Sequence, residues 1–377
     1  MTRKIAVLIV ACMLFPAWPL LAEKPRDGVS YIFNFYQDNA KNRVIAPLVS
    51  LSKKITDQYY LGAKLGVDAI SSATKKSQAT AGTGSGEDDD SEGDDMQMRY
   101  SPSLSLTYDD TDTTVTAGGY YSTESSYIGR TLFGAYTRSL NQNNTVLGIG
   151  LSQSFDYWKP DRQLPDNSRR ERTLDLTATQ FLSPKSSIQF TYSSLKSTGF
   201  IALPTESLVT AATITLYAQY PETRKGNAYA FRFVTLLSEP TSFHLYYRYY
   251  RDDWHIQSDT LNFELYRDIS ASLVLGARYR YYTQEQAFFA KDLAAYTPGD
   301  KLIAVDYRMY AFRTNTIGLM ALLKPSWNNR LLSDADKVKV KLSADYYATS
   351  KQKNIQYVYN TDHLSGFFTT IALDYDF

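Results

Sequence analysis

Apolar and polar residues alternate with a period of two along most of this chain. The final segment, FFTTIALDYDF, shows the pattern: Phe367, Ile371, Leu373, Tyr375 and Phe377 fall in one row, and Asp374 and Asp376 fall in the other. Successive side chains of a β-strand point to opposite faces, so each such segment has one apolar face and one polar face. Helical spacing does not fit these segments. The pattern predicts strands along nearly the whole chain.

The alternation predicts about 16 strands, although 14 would also fit because the strands near 43–69 are weakly marked. Each predicted strand reaches roughly the 9–11 residues that a tilted strand needs to cross a bilayer. We place the strands at 29–37, 43–54, 58–69, 97–108, 113–122, 129–139, 145–157, 170–181, 187–197, 224–237, 242–253, 258–267, 271–283, 315–325, 337–348 and 365–377.

Short turns alternate with long connections between these strands. The long connections fall near 158–169, 198–222, 284–314 and 349–364. Short periplasmic turns and longer outside loops are typical of bacterial outer-membrane barrels. The fold expected is therefore all-β, a transmembrane antiparallel up-and-down β-barrel. A soluble β-sandwich also alternates, but its strands are usually only about 5–6 residues long.

Residues 1–22 have the basic start, apolar stretch and small-residue cleavage site of a secretory signal peptide, which leaves 23–377 as the barrel. A transmembrane helix and a lipoprotein signal at Cys12 are the alternatives. Cys12 is the only cysteine, so cleavage after Ala22 excludes disulfides and thiolate sites. Export, the lack of cysteine and 31 tyrosines together predict the outer membrane of a Gram-negative bacterium.

The last strand is expected to interact with outer-membrane lipid and with the barrel-assembly machinery. Its apolar face should contact outer-membrane lipid, with Tyr375 and Phe377 at the periplasmic interface, where aromatic side chains are favoured. An amphipathic last strand with a terminal Phe is similar to the signal read by the barrel-assembly machinery. Gly366 lies further from the terminal aromatics than in the usual signal.

Charged residues in the polar rows should face the lumen, because Arg or Lys facing lipid at mid-membrane costs about 2–4 kcal/mol. Rings of Arg or Lys favour anions, and the inward acids look scattered, so weak anion preference is expected. A solvated wall of internal salt bridges is the alternative. The residues expected to line the lumen are Arg99, Arg232, Arg248, Glu264, Arg278, Arg280, Lys337, Lys339, Lys341 and Asp345.

The segment 75–96 is rich in glycine and contains the acidic stretch GSGEDDDSEGDD at 84–95. Such a composition cannot bury an apolar core, so a disordered outside loop is expected. Asp88, Asp89, Asp90 and Asp94 are candidate calcium ligands because hard cations bind carboxylates, but the EF-hand spacing is absent. A third interpretation folds the loop into the mouth as a gate.

Few residues indicate catalysis. The three histidines, His244, His255 and His363, lie near turns or loops, and Asp362 and Ser365 beside His363 do not establish a catalytic triad. The sequence lacks a phosphate loop, zinc spacing and a haem motif. We therefore expect no enzyme activity and no cofactor. A net charge of +1 gives no reason to expect nucleic acid.

Two segments resemble an uncharacterised family of Gram-negative outer-membrane barrels, known only as a domain of unknown function. Residues 67–74, VDAISSAT, are similar to its early Asp-x-Ile-Ser-Gly-Ala-Ser motif, and residues 305–312, VDYRMYAF, to its late Asp-Tyr-Arg-Leu-Ser motif. Ser72 stands where the family often has glycine, and a long insertion follows Thr74. The resemblance implies a barrel that works beside small envelope lipoproteins or flavin-linked redox proteins, and it supplies no catalytic residues.

Three functions fit these observations. The first is a porin-like channel for passive passage of small polar or anionic solutes, because sixteen strands enclose more space than side chains fill. The second is a sheath or anchor for an envelope lipoprotein or redox partner, since no constriction loop is obvious in the sequence. The third is an outer-membrane hydrolase. The pattern leaves the oligomeric state open.

Overall fold

The computed structural model describes residues 26–71, 97–158, 167–202, 207–209, 214–324, 337–354 and 361–377. The predicted signal peptide lies outside these residues. The strands are β1 Gly28–Asp38, β2 Arg43–Lys54, β3 Tyr59–Ser71, β4 Gln97–Asp109, β5 Thr113–Glu124, β6 Tyr127–Leu140, β7 Thr145–Trp158, β8 Ser168–Ser183, β9 Ser186–Gly199, β10 Ser207–Val209, β11 Thr215–Tyr217, β12 Thr223–Ser238, β13 Thr241–Asp252, β14 Gln257–Ser270, β15 Leu273–Gln284, β16 Phe312–Leu323, β17 Val338–Thr349 and β18 Ser365–Asp376.

Sixteen of these strands form a closed antiparallel barrel in which each barrel strand pairs with the next barrel strand along the chain. β9 therefore pairs with β12, and β1 pairs with β18 to close the barrel. The short β10–β11 hairpin lies in the connection between β9 and β12, outside the barrel. Closure leaves no unpaired edge among the sixteen described barrel strands. The prediction of sixteen strands is confirmed, and every predicted strand matches an observed barrel strand to within three residues at each end. No helix in the described ranges is long and apolar enough to cross a membrane.

The outer face of the barrel is apolar. Leu132 and Leu319, near the middle of their strands, are 66% and 67% exposed. Aromatic residues flank this apolar band, including Tyr100, Tyr121, Tyr157, Tyr229, Tyr247, Tyr279 and Tyr346 toward one end and Tyr31, Tyr59, Tyr136 and Phe377 toward the other. An apolar band between two aromatic girdles is the surface that a barrel presents to lipid. The girdles account for many of the tyrosines.

The two ends of the barrel differ in their connections. One end has turns of two to four residues at 55–58, 110–112, 141–144, 184–185, 239–240 and 271–272, along with the longer connection between β16 and β17. The other end carries the long predicted connections, including 200–222 and 285–311. Short turns mark the periplasmic end in bacterial barrels, so we call the other end the extracellular mouth.

Residues 285–311, here called the cap, fold into a compact structure over this mouth. They contain two single-turn 3-10 helices, Leu293–Ala295 and Tyr307–Met309. The cap packs against the β10–β11 hairpin and the β13–β14 turn around Trp254, which is 1% exposed. The isolated bridge between Gln219 and Ile303 fixes the cap to the segment before β12. The alternation pattern predicts only a long connection near 284–314 and does not indicate this compact structure.

Candidate functional site in the barrel lumen

The polar rows meet on the inner face of β12 to β17. Strand register sets two neighbouring rows there. One row contains Arg232, Tyr246, Asn262, Arg280 and Thr316, and the next row toward the periplasm contains His244, Glu264, Arg278, Gly318 and Asp345. Five adjacent strands therefore contribute polar side chains to the first row, and four strands do so in the second, where β16 contributes Gly318.

Three arginines surround Tyr246. Arg232, Arg248 and Arg280 all lie within electrostatic range of its hydroxyl. The guanidinium carbon of Arg232 lies 5.8 Å from the centre of the Tyr246 ring, and that of Arg248 lies 5.3 Å from the centre of the Tyr250 ring. We call Arg232, Tyr246, Arg248, Tyr250 and Arg280 the arginine–tyrosine group. Within the described part of the chain, neither Arg232 nor Arg248 forms an ion pair with a carboxylate.

Arg278, in contrast, is neutralised by Asp345. Both the Nε and Nη2 atoms of Arg278 donate to the carboxylate, the Nε bond measuring 3.1 Å. The pair crosses over β16 at Gly318, where an added Cβ would collide with the Asp345 carboxylate and lie 3.4 Å from Arg278 Nε. Glycine is thus required at this position for the two charges to meet.

Glu264 organises the polar groups beside this pair. Its carboxylate accepts hydrogen bonds from Asn262 Nδ2 at 2.8 Å and from the Tyr266 hydroxyl at 2.7 Å, and His244 Nδ1 lies 3.6 Å away. The Tyr266 ring covers Gly276 on β15, which has no side chain to displace it. These contacts hold Glu264 against the wall rather than in the open lumen.

The predicted lysine ladder lies near the periplasmic end of β17. Lys339 Nζ lies 2.9 Å from an Asp376 carboxylate oxygen, so this charge is compensated. Lys341 lies close enough to Arg278, Glu264, Asp374 and Asp345 to interact with all four electrostatically. Lys337 immediately precedes β17. The inward acids are therefore less scattered than the sequence suggested, because Asp345 and Asp376 lie beside the predicted basic residues.

On β3 to β5, charged groups also face inward. Arg99 Nε lies 3.6 Å from an Asp68 carboxylate oxygen, and Glu124 interacts electrostatically with both residues. Asp68 belongs to the first family-like segment, which ends at 74 and leaves the described residues after Ser71. This segment contributes a charge-paired residue to the inner wall near the mouth.

The second family-like segment inserts a tyrosine into the mouth. The Asp306 carboxylate accepts a hydrogen bond from the backbone N–H of Arg308 at 2.9 Å and pairs with its guanidinium, which fixes the turn. Tyr307 then packs among inward-facing aromatic residues on β16, β17, β18 and β1, namely Phe312, Tyr347, Phe368 and Tyr36. Burial raises the pKa of the Tyr307 hydroxyl above its ordinary value. The cap thus places a buried tyrosine among the inward-facing aromatic residues at this side of the mouth.

Surface ion pairs hold the outer edge of the cap. A hydrogen bond from Lys353 Nζ, 2.8 Å long, lowers the pKa of the Asp292 carboxyl. Lys291 Nζ donates to Asp300 at 2.7 Å and lowers the pKa of that carboxyl in the same way. These contacts join the cap to the β17–β18 connection and to itself.

The remaining predicted positions contribute less to this site. Asp88, Asp89, Asp90 and Asp94 lie outside the described residues, within which no cluster of three or more His, Cys, Asp or Glu residues could hold a metal ion. Tyr375 and Phe377 form an edge-on aromatic pair 5.8 Å apart, with Lys53 Nζ 4.9 Å from the Phe377 ring centre. His255 and His363 lie in connections at the mouth.

A family model matches residues 6–167 and 157–377, together nearly the whole chain. The chain belongs to the family described as "Protein of unknown function (DUF3570)". The resemblance inferred from the two short segments is thus confirmed at the level of an uncharacterised family of outer-membrane barrels. No curated protein matches the sequence.

Solved structures show a similar fold. A structure titled "Bacterial polysaccharide outer membrane secretin" is 8% identical, with a TM-score of 0.51, and the match covers 93% of this chain and 99% of that one. OccD3 (OpdP) from Pseudomonas aeruginosa is 10% identical with a TM-score of 0.46, covering 94% of this chain and 92% of that one. A BenF-like porin from Pseudomonas fluorescens Pf-5 is 8% identical with a TM-score of 0.47, covering 94% and 99%.

This protein is an outer-membrane barrel. Its closed sheet, its apolar outer band and its polar inner rows are the features of a protein of the Gram-negative outer membrane. The predicted fold class and location are confirmed.

Proposed function

We propose that the protein is a passive outer-membrane channel for small polar solutes, with a preference for anions. Sixteen strands enclose more space than inward side chains fill, and the inner rows are polar along much of their length. Charged groups that face a lumen stay hydrated only if water enters it. Water in the lumen provides the path for solutes.

The arginine–tyrosine group supports the anion preference. Arg278 and Lys339 are compensated by Asp345 and Asp376, whereas Arg232 and Arg248 form no ion pair with a carboxylate of the described residues. Uncompensated positive charge on a low-dielectric wall attracts anions and repels cations. This is the observation that carries the proposal.

The test removes charge from the inner wall and, as a control, from the outer face. The inner variant is R232Q/R248Q. The control is R251Q/R267Q, which removes the same number of charges from exposed outward positions on β13 and β14. Each protein is inserted into a planar bilayer under a potassium chloride gradient, and the reversal potential is measured.

The proposal predicts a wild-type reversal potential displaced toward the chloride equilibrium value. R232Q/R248Q should shift it toward the potassium value, and R251Q/R267Q should leave it unchanged. A cation-selective wild type, or equal shifts in the two double variants, contradicts the assignment of selectivity to this wall.

A further inference from the structure

The arginine–tyrosine group contains two guanidinium groups, those of Arg232 and Arg248, with no carboxylate partner among the described residues. The guanidinium carbons of Arg232 and Arg248 lie 5.8 Å and 5.3 Å from the ring centres of Tyr246 and Tyr250, within cation–π range. A guanidinium presents several N–H donors in one plane and can bind a carboxylate through two parallel hydrogen bonds. Neither arginine donates a hydrogen bond to a carboxylate in the described residues. Each guanidinium is therefore suited to an external oxyanion.

The residues beside Arg248 on the neighbouring strands are small. Arg248 lies opposite Ala230 on β12 and Thr260 on β14, both small residues. Arg232 lies across the β12–β13 pair from Tyr246. Ala230 and Thr260 occupy less space beside Arg248 than large side chains at these positions would.

Aromatic surface lies within reach of these charges. Tyr246, Arg248 and Tyr250 follow one another on the inner face of β13, about 7 Å apart at each step because same-face residues of a strand are two residues apart. Tyr250 is fixed: its hydroxyl donates to Asp252 at 3.0 Å, and its ring covers Gly226, where a Cβ would collide with it. Tyr282, opposite Thr260, lies on the same side of the lumen and interacts electrostatically with Arg248. A planar apolar group bound at the arginine edge can contact a ring on either side.

We propose that this group is a binding site for small aromatic carboxylates. The inference deepens the proposed channel by naming its solute class: Arg232 and Arg248 bind the carboxylate, and Tyr246 and Tyr250 contact the ring. Inorganic anions contact only the two arginines of this site. An uncharged aromatic molecule contacts only the two tyrosines.

The test is calorimetric titration of the purified barrel in a non-ionic detergent. Sodium benzoate is the probe, and acetate, inorganic phosphate and benzyl alcohol are compared with it. Benzyl alcohol keeps the ring but lacks the charge, so it also reports partition into the micelle. We expect benzoate to bind at least tenfold more tightly than each of the other three.

Variants assign the binding to the named residues. R232Q/R248Q should weaken benzoate binding at least tenfold, whereas R251Q/R267Q should leave it unchanged. Tyr246→Leu should weaken benzoate binding but not acetate binding. Folding of each variant is checked by its mobility on a gel before and after heating, since an intact barrel migrates as a compact species.

Two results overturn the site: benzoate binding equal to that of acetate or phosphate, or benzoate binding that survives R232Q/R248Q. The experiment needs no ion flow, so it separates the two proposals. Benzoate binding by a barrel that does not conduct retains the site and removes the channel. Conduction without benzoate binding retains the channel and removes the site.

Discussion

The Arg278–Asp345 ion pair is a bidentate, largely buried contact of the inner wall, so its contribution to stability can be bounded from its geometry. Asp345→Asn removes the carboxylate but keeps nearly the same shape, leaving Arg278 without its bidentate partner. The Arg278 side chain is 26% exposed and that of Asp345 is 7% exposed. The perturbation thus leaves a mostly buried guanidinium without its bidentate partner, with Glu264 on the neighbouring strand as a remaining nearby carboxylate.

The expected cost lies between two limits. Breaking a fully buried pair costs about 3–5 kcal/mol, and an exposed pair contributes about 0–1 kcal/mol. The Arg278 side chain retains contact with lumen water, so we expect Asp345→Asn to lower the free energy of unfolding by about 1–3 kcal/mol. Arg278→Gln and the double variant should show a coupling energy of similar size, because the two residues share this contact.

Guanidinium unfolding of the barrel from lipid vesicles, followed by tryptophan fluorescence, measures these energies. The control cycle is Arg138 with Asp112, a rim pair at 2.9 Å with side chains 45% and 43% exposed, whose coupling should stay below about 1 kcal/mol. A coupling for Arg278 and Asp345 no larger than this control value would refute the claim that the pair is a structural contact of the wall.

Three further predictions follow from particular contacts. Gly318→Ala should abolish most of the coupling energy between Arg278 and Asp345, because the new Cβ displaces the Asp345 carboxylate. Gly134→Ala, where the atom nearest to the new Cβ lies 3.7 Å away, should leave that coupling energy unchanged. The same unfolding assay checks both variants. Trp254→Ala should open the cap, at a local cost of about 3–5 kcal/mol for a buried Trp, and make the cap sensitive to protease while the barrel stays intact. The Asp292 pKa lies below its ordinary value of 3.8, so its contribution to cap stability is present above pH 3.8 and is lost as the pH falls below that. Protection of the cap amides against hydrogen exchange should therefore be equal at pH 7 and pH 5 and weaker at pH 3. Opening of the cap between pH 7 and pH 5 would contradict this prediction.

The barrel itself could be predicted from local pattern alone. Lipid outside and water inside impose opposite polarity on alternate residues, so every strand carries the period in its own sequence. The row of Val338, Val340 and Leu342 against Lys339 and Lys341 is an example. Short polar turns then set the strand ends to within three residues.

The cap could not be predicted in this way. Its core joins Trp254 to Leu293 and Leu208, residues from three separate connections, and no one of these segments shows a period. Its stability comes from contacts between distant parts of the chain. The segment around Asp306 and Tyr307 gave the only local signal, and only through its resemblance to the family.

The candidate site was half predictable. Polarity placed Arg232, Arg248, Arg278 and Arg280 in the inward rows, but the same reasoning treated them as equivalent. Register across β16 pairs Arg278 with Asp345, and Gly318 makes that contact possible. Which arginines keep uncompensated charge depends on such cross-strand geometry, which a single strand's sequence does not contain.

The central claim, a water-filled conducting lumen, is tested most directly by single-channel recording. The wild-type protein, purified in mild detergent and verified as folded, is inserted into a planar bilayer in symmetric potassium chloride. The account predicts a reproducible open step that persists at low voltage. Silence from a folded barrel would contradict it and favour a lumen closed by the cap or filled by an envelope partner.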